Sequence, residues 1–422
     1  MAVPRIMPRA EHPISRRDID PDALKVLYRL RQFDHIAYLV GGSVRDLLLG
    51  RRPKDFDIGT SAHPYQVKKL FRNCWIIGRR FRLAHVKFGS KVIEVATFRR
   101  QVAPGEEVVQ DGVPAPDPNT PEGEHLIHHD NTFGTPEEDA FRRDFTINAL
   151  VYDIATFSII DYVGGLEDLR AGVVRSIGNP EVRLREDPVR MLRAVALAAR
   201  LNFTIDPAVL DAIRTHRHEI SHSSAPRLLE EYYKILRAGS AEKTFRLLAD
   251  LGLLEPISGE LHRGATDPLW RSLAELDAYR SRFDATPDTL TNAILLGSLL
   301  VPLGVLVGSG RPTEPLPKLG ALPLARRDVE RLRQILGLQR RLRDATGSAR
   351  VQRALAHRSL FPETLTWFEI HGGDRDTVEN WKRVLAQGPV EGEDLPAEGP
   401  EFGPRRRRRR RRRRRPAGPA QS

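Results

Sequence analysis

The chain has 422 residues, of which 40% are hydrophobic and 7% aromatic, so it is long enough for two or three domains with ordinary buried cores. No stretch approaches the roughly 20 apolar residues that a membrane span needs, and the basic residues 1–17 lack the apolar centre of a secretion signal. The lone cysteine, Cys74, excludes internal disulfides and a cysteine-based zinc site. These features predict a cytoplasmic protein without a membrane span.

The positive charge is concentrated at the C-terminal end. Eleven consecutive arginines at residues 405–415, among them Arg405, Arg410 and Arg415, account for 11 of the net +12, which leaves +1 for the rest. So dense a run of like charges predicts a disordered tail, here residues 388–422. Guanidinium groups suit phosphate, so the tail predicts nucleic-acid binding without sequence preference; a solubility tail and contact with an anionic membrane are the alternatives.

The first 180 residues mix short β-rich runs with helical patterns. Asp20 before Pro21 predicts a helix N-cap, and a strand at residues 36–40 precedes a helix at 44–49. Further strands are predicted at 56–58 and 75–77, followed by a hairpin of residues 84–88 and 92–98 around Gly89. Residues 101–124, rich in Pro, Gly and acidic residues, predict a loop or linker. This part of the chain is therefore predicted to be an α+β head.

Beyond residue 180 the apolar residues recur at helical spacing. The predicted helices are 189–201, 226–237, 242–251, 270–283, 329–342 and 377–385, with a linker at 307–323. We therefore predict a head (1–180), a neck (181–260), a helical body and tail (261–387) and the arginine-rich terminus (388–422).

Gly41 and Gly42 lie between the first predicted strand and the following helix. Glycines there let backbone N–H groups approach phosphates closely at a helix N-terminus, and Arg45 adds a positive charge in the first turn. A tight turn without any ligand is the alternative.

Asp55 and Asp57 are two residues apart, which places both carboxylates on one side of a strand. Such a pair favours a cation, and Mg²⁺ prefers a couple of carboxylates together with substrate phosphate oxygens. Two such ions would activate an attacking hydroxyl and stabilise a leaving pyrophosphate. Glu94, in an otherwise apolar strand, is either a third acid of this site or a solvent-facing or salt-bridged position. The turn-like Pro53 before the pair also permits an exposed turn without metal.

Two later segments add polar groups suited to a nucleotide. Arg143, Asp144 and Asn148 supply guanidinium, carboxylate and amide groups that suit triphosphate and ribose, although alone they read as a polar helix start. Asp187 and Arg190 are three apart on one predicted helical face. A carboxylate acceptor beside a guanidinium donor matches the edge of adenine and of cytosine, but not that of guanine or uracil. A capping aspartate with a helical salt bridge is the alternative.

Taken together, residues 38–57, the Arg143 block and the Asp187 block resemble the class II polynucleotide nucleotidyltransferases, the family of CCA-adding enzymes and bacterial poly(A) polymerases. The resemblance covers residues 14–255. It implies a polymerase-β-like head with a small mixed sheet, catalytic Asp55, Asp57 and Glu94 with two Mg²⁺, and ATP as a substrate. It also implies triphosphate contacts from Gly41, Gly42 and Arg45, ribose contacts or organisation of the site by Arg143, Asp144 and Asn148, and base recognition by Asp187 and Arg190.

Residues 76–86, with Arg79, Arg80 and Arg82, resemble the segment that marks the poly(A) polymerase branch. This implies adenylate addition to RNA 3′ ends, RNA contacts from these arginines, and RNA-decay machinery as a partner. A CCA-adding tRNA enzyme and a catalytically inactive RNA-binding protein are the alternatives. His128, His129 and Asp130 lie outside the matching motifs and are treated as polar loop residues rather than a metal site.

Overall fold

The computed structural model describes residues 3–78, 82–100, 132–306, 316–344 and 349–387. In these residues, no helix is both long and apolar enough to span a bilayer. The strands are β1 (Arg5–Met7), β2 (Ala37–Val40), β3 (Asp57–Thr60), β4 (Cys74–Ile77), β5 (Leu83–Phe88), β6 (Lys91–Thr97), β7 (Val151–Asp153), β8 (Ser158–Asp161), β9 (Val173–Val174) and β10 (Thr204–Ile205).

The helices follow the predicted change from a mixed head to an all-helical body. They are α1 (Pro21–Gln32), α2 (Gly42–Leu48), α3 (Pro64–Leu70), α4 (Pro136–Arg142), α5 (Gly165–Ala171), α6 (Pro180–Glu186), α7 (Val189–Leu201), α8 (Pro207–His216), α9 (Ala225–Arg237), α10 (Ala241–Asp250), α11 (Gly259–Arg263), α12 (Asp267–Arg280), α13 (Asn292–Leu300), α14 (Arg326–Arg343), α15 (Ala349–Ala356), α16 (Phe361–Ile370) and α17 (Arg375–Ala386).

The head is built on a mixed sheet, which in the described part of the chain has eight strands in the order β1-β8-β7-β2-β3-β6-β5-β4. The β3–β6 pair is parallel, and the other pairs of this sheet are antiparallel. Helices α1 and α3 cover one face, where alternate strand residues are buried. This face forms the head's core, and the carboxylates described below lie on the other face.

The structure agrees with the local predictions where a helix cap or a turn has a clear sequence pattern. Asp20 caps α1 by accepting the backbone N–H groups of Asp22 and Ala23, and the predicted hairpin is β5–β6. Helix α7 has the predicted bounds, and the other predicted body helices correspond to α9, α10, α12, α14 and α17. Cys74 is buried.

One continuous apolar core runs from the sheet through α7, α9, α10, α12 and α13 to α14, and a smaller cluster joins the end of α14 to α15, α16 and α17. The prediction of an α+β head followed by an all-helical body is confirmed in the described residues. The domain boundaries stay predictions. The loop at 101–124, His128–Asp130 and the arginine-rich terminus lie outside the described residues.

Candidate active site

The turn between β2 and α2 requires its glycines. Gly41 has φ +73°, a conformation that L side chains rarely adopt, and a Cβ atom there would lie 3.0 Å from the Nη1 atom of Arg143. The hydroxyl of Ser43, one turn on, donates to the carbonyl oxygen of Val40 at 3.0 Å. The turn is therefore fixed in shape, and a guanidinium lies directly against its backbone.

Asp57 is the first residue of β3, and the parallel register that pairs Ile58 with Val95 places Asp57 beside Glu94. Glu94 is half-exposed, with its Oε1 atom 3.6 Å from Nε2 of His85 on β5. Asp55 precedes the strand, keeps 72% of its side chain exposed, and lies 3.8 Å from the amine of Lys54. The prediction that both residues belong to one strand is wrong for Asp55, which lies in the irregular segment before β3, although its charge still acts on Asp57.

The neighbouring carboxylates perturb Asp57. Burial raises the pKa of Asp57 to about 6, helped by the negative charges of Glu94 and then Asp55, and Arg143 opposes the rise. A cation between these groups would relieve the repulsion. No three metal-ligating side chains converge within the described ranges. Hard carboxylate oxygens nevertheless fit Mg²⁺, which takes one or two carboxylates and completes its shell with water and substrate phosphate.

Asp144 lies at the centre of a buried polar network. Its Oδ1 accepts from the backbone N–H of Phe145 at 2.8 Å and from Asn148 Nδ2 at 3.2 Å, and its Oδ2 lies 2.6 Å from Nη2 of Arg193. Burial alone would raise its pKa, but the charge and hydrogen bond of Arg193, with those two donors, hold the pKa at about 2. Asp144 therefore stays ionised and fixes the Phe145–Asn148 turn.

Arg45 is held inside this network rather than in open solvent. Its Nε and Nη2 atoms donate to Asp46 Oδ1 at 2.9 and 2.7 Å, and its Nη1 atom donates to the side-chain oxygen of Asn148. The side chain is almost fully buried, so Arg45 links α2 to the turn that carries Asn148. Its contact with triphosphate stays a proposal.

Arg143 ends α4 instead of opening a helix, so the helix-start interpretation of this block is wrong. Its Nε and Nη2 atoms bind Asp139 Oδ2 at 3.2 and 3.0 Å, and Nη1 donates to the carbonyl oxygen of Asn148 at 3.2 Å. Burial would raise the pKa of Asp139, but Arg143 and Arg142 keep it below its ordinary value. The buried Asp139 thus positions Arg143 beside Gly41.

Asp187 and Arg190 both lie at the junction of α6 and α7. Asp187 is the C-cap of α6, with φ −147°, so it does not share a helical face with Arg190, and that part of the prediction is wrong. Asp187 Oδ2 accepts from Arg227 at 2.9 Å, whereas its Oδ1 is buried and has no hydrogen-bond partner in the described residues. Arg190 is also buried and donates from Nη1 to the carbonyl oxygen of Arg183 at 2.9 Å.

Two arginines that the sequence interpretation missed join the head to the neck. Arg183 on α6 donates from Nη2 to the carbonyl oxygens of Arg142 and Arg143 at 2.7 and 2.8 Å. Arg193 on α7 binds Asp144, as described. Arg193 lies three residues after Arg190 on one helix, and this spacing could have identified it as a residue near the site. Nothing in the neighbouring sequence identified Arg183.

The predicted RNA-contacting arginines are described only in part. Arg82 is partly exposed and directly precedes β5. Arg79, Arg80, Arg405, Arg410 and Arg415 lie outside the described residues. Their RNA contacts therefore stay predictions.

A mixed sheet with a glycine turn and strand carboxylates, joined to the following helices by Arg183 and Arg193, is typical of nucleotidyltransferases. Residues 37–175 match the poly A polymerase head domain, and residues 202–263 match the family described as the probable RNA- and SrmB-binding site of polymerase A. Over these residues the chain is therefore similar to the poly(A) polymerases and the CCA-adding enzymes.

The sequence identity is higher to the poly(A) polymerase below than to the CCA-adding enzyme. The chain is 51% identical to poly(A) polymerase I of Salmonella typhi over 263 residues, 62% of this chain and 55% of that one. It is 37% identical to the CCA-adding enzyme of Lactobacillus johnsonii over 237 residues, 56% of this chain and 55% of that one. The chain thus spans about half the length of the curated relatives it matches. Among solved structures, the Bacillus stearothermophilus CCA-adding enzyme in complex with CTP superimposes with a TM-score of 0.61 at 28% identity, covering 88% of this chain and 84% of that one.

Proposed function

We propose that this chain is a template-independent polynucleotide adenylyltransferase that transfers AMP from ATP to RNA 3′ ends. The observation that carries the proposal is the set Gly41, Asp57, Glu94 and Arg143. Gly41 directly follows β2, Asp57 and Glu94 lie on the neighbouring strands β3 and β6, and the guanidinium of Arg143 lies against the Gly41 turn. The higher identity to poly(A) polymerase I than to the CCA-adding enzyme favours adenylate addition.

Each group has a chemical task in this proposal. Two Mg²⁺ ions held by Asp55 and Asp57, with Glu94 as a further acid, would activate the attacking 3′-hydroxyl and stabilise the leaving pyrophosphate. The turn at Gly41 and Gly42 brings backbone N–H groups close to the triphosphate. Arg143 adds positive charge where the phosphates lie.

Base recognition would fall to the α6–α7 junction. The buried Oδ1 of Asp187 lacks a partner in the described residues, and a buried acceptor without a donor is unfavourable. The exocyclic amine of adenine is a donor of the required kind, and it would satisfy this oxygen. Arg190, three residues later, would supply the complementary donor. Asp144 and Asn148 would hold the ribose-facing turn and, through Arg45, the start of α2.

The remaining features belong to the same proposal. From the sequence we propose that the protein is cytoplasmic and contacts RNA-decay machinery. We also propose that the arginine-rich terminus and the side chains of Arg79, Arg80 and Arg82 bind RNA. The family of RNA-binding segments that residues 202–263 match supports the RNA contacts.

The test incubates the purified chain with Mg²⁺ and an unstructured RNA oligonucleotide, with ATP alone or CTP alone, and separates the products on a gel. A long ladder with ATP only is expected. Asp55→Ala and Asp57→Ala should abolish it, whereas Asp211→Ala, an exposed acid on α8, should not. CTP-then-ATP addition to a tRNA that lacks its 3′ end, without a ladder, would assign the chain to the CCA-adding branch.

A further inference from the structure

The open face of the sheet carries a row of side chains that runs from the carboxylates to the sheet edge. Trp75 on β4 pairs with His85 on β5, and His85 pairs with Glu94 on β6, which lies beside Asp57 on β3. Directly paired residues point to the same face of a sheet. Three strand spacings separate the Cα atoms of Asp57 and Trp75, about 14 Å.

This row is apolar at its outer end. Trp75 is 52% exposed, and Ile77, two residues further along the same strand and on the same face, is also exposed. The other face of the same strands is buried beneath α3, and Val67 of that helix belongs to the same apolar core as Ala84. Neighbouring exposed large apolar side chains are unfavourable in water and favour a binding role. We name Trp75 and Ile77 the β4 platform.

The stretch of sequence that contains β4 and β5 is strongly basic. Residues 58–93 contain no aspartate or glutamate. They contain eight basic residues, which are Lys68, Lys69, Arg72, Arg79, Arg80, Arg82, Lys87 and Lys91. Lys87 is exposed and lies two residues after His85, so it is on the platform's own face. An exposed aromatic ring beside positive charge suits a single-stranded nucleic acid, whose bases stack while its phosphates are neutralised.

We propose that the β4 platform binds the RNA substrate just upstream of its 3′ end, with a base stacked on Trp75 and the backbone near Lys87. The inference rests on the proposed function, because that function places the 3′-hydroxyl at Asp57. The 14 Å span is longer than one stacking step, so the base on Trp75 precedes the terminal nucleotide by a few positions. The row of His85 and Glu94 lies along the path between the two.

Tryptophan fluorescence gives a direct readout of this contact. The chain has four tryptophans, and the other three, Trp270, Trp367 and Trp381, are buried. Titration of the full chain with unstructured oligoadenylate, without ATP or Mg²⁺, should quench the emission. Trp75→Phe should remove the quenching yet retain most of the affinity. Quenching that persists in Trp75→Phe would overturn the proposal.

Affinity and kinetics supply the second readout. Base–aromatic stacking predicts that Trp75→Ala weakens oligoadenylate binding, and raises the KM for RNA, by about 10-fold. The KM for ATP and the kcat at saturating RNA should not change. Tyr65→Ala is the matched control, since Tyr65 is an exposed aromatic residue on α3, behind the sheet, and should have no effect. Unchanged RNA binding in Trp75→Ala would overturn the proposal.

The two proposals fail in different ways. Quenching that depends on Trp75 in a protein that adds no adenylate would refute the proposed function and retain RNA binding at the platform. Adenylate addition with a KM for RNA that does not change on substitution of Trp75 would support the proposed function and overturn RNA binding at the platform. A wild-type dimer that Trp75→Ala dissociates, with unchanged RNA affinity, would assign the platform to a second copy of the chain and overturn the inference.

Discussion

The ion pair between Asp144 and Arg193 should make a measurable contribution to stability, and its size can be derived from the carboxylate. The folded pKa of about 2 lies below the ordinary 3.8. A difference of this size corresponds to about 2 kcal/mol, and the side chain of Asp144 is well buried, so solvent screening at the carboxylate is small. Because the folded pKa is the lower one, this contribution is present above pH 3.8 and is lost as the pH falls toward 2.

Asp144→Asn should therefore lower the free energy of unfolding by about 2 kcal/mol near neutral pH, and the difference from the wild type should shrink as the pH falls below 3.8 toward 2. Arg193→Met leaves the buried carboxylate with two neutral donors and should cost about 2–3 kcal/mol, less than a fully buried pair because Arg193 is partly exposed. The double variant should resemble one single variant, with a coupling energy of about 2 kcal/mol.

Urea denaturation followed by far-UV circular dichroism measures these differences, at neutral pH and at about pH 3. Arg214→Met removes the exposed partner of Asp211 and should change stability by less than about 0.5 kcal/mol. Additive effects of Asp144→Asn and Arg193→Met, or a difference that does not shrink in acid, would refute the reasoning.

Three further outcomes test other parts of the molecule. Asp57→Asn removes a repelled carboxylate, so the metal-free protein should gain about 1 kcal/mol after screening at this open edge, while adenylate transfer is lost; a lower melting temperature would contradict this. Gly41→Ala should lower the free energy of unfolding by about 1–3 kcal/mol and weaken ATP binding, because the new Cβ combines a positive φ with a 3.0 Å approach to Arg143. Gly50→Ala is the control for the backbone cost, since Gly50 has φ +65° but open space around it. Equal effects of the two substitutions would contradict a role for the Arg143 contact. Deletion of residues 405–415 should weaken RNA binding and flatten its dependence on salt; an unchanged slope would remove the tail from the RNA-binding surface.

Local chemistry explains what the sequence predicted well. The cap at Asp20 and the glycine turn at Gly41 each depend on a few neighbouring residues, so their patterns are visible in the sequence. Helix α7 alternates apolar and polar residues with helical spacing, and its bounds were predicted correctly. Helix α13 is different: Ile294, Leu295 and their neighbours are buried all round, so it has no polar face to give a period and was missed.

Tertiary contacts explain the rest. Asp144 and Arg193 are 49 residues apart, and nothing in either segment specifies that they meet. Asp187 was assigned to the helix of Arg190 because three-residue spacing is compatible with one helical face, but Pro188 separates two helices there. The proximity of Glu94 to Asp57 depends on the parallel β3–β6 register, which the sequence does not encode locally.

The two arginines that cross from the neck to the head differ in what they require from their partners. Arg183 donates to the carbonyl oxygens of Arg142 and Arg143, which any residues at those positions would supply. Arg193 needs the carboxylate of Asp144. A chimaera that exchanges the head of this chain for that of a relative should therefore keep the first contact regardless of sequence, and assemble fully only when an aspartate occupies the position of Asp144. The carboxylate of Asp144 is thus the part of this junction that depends on the identity of a side chain.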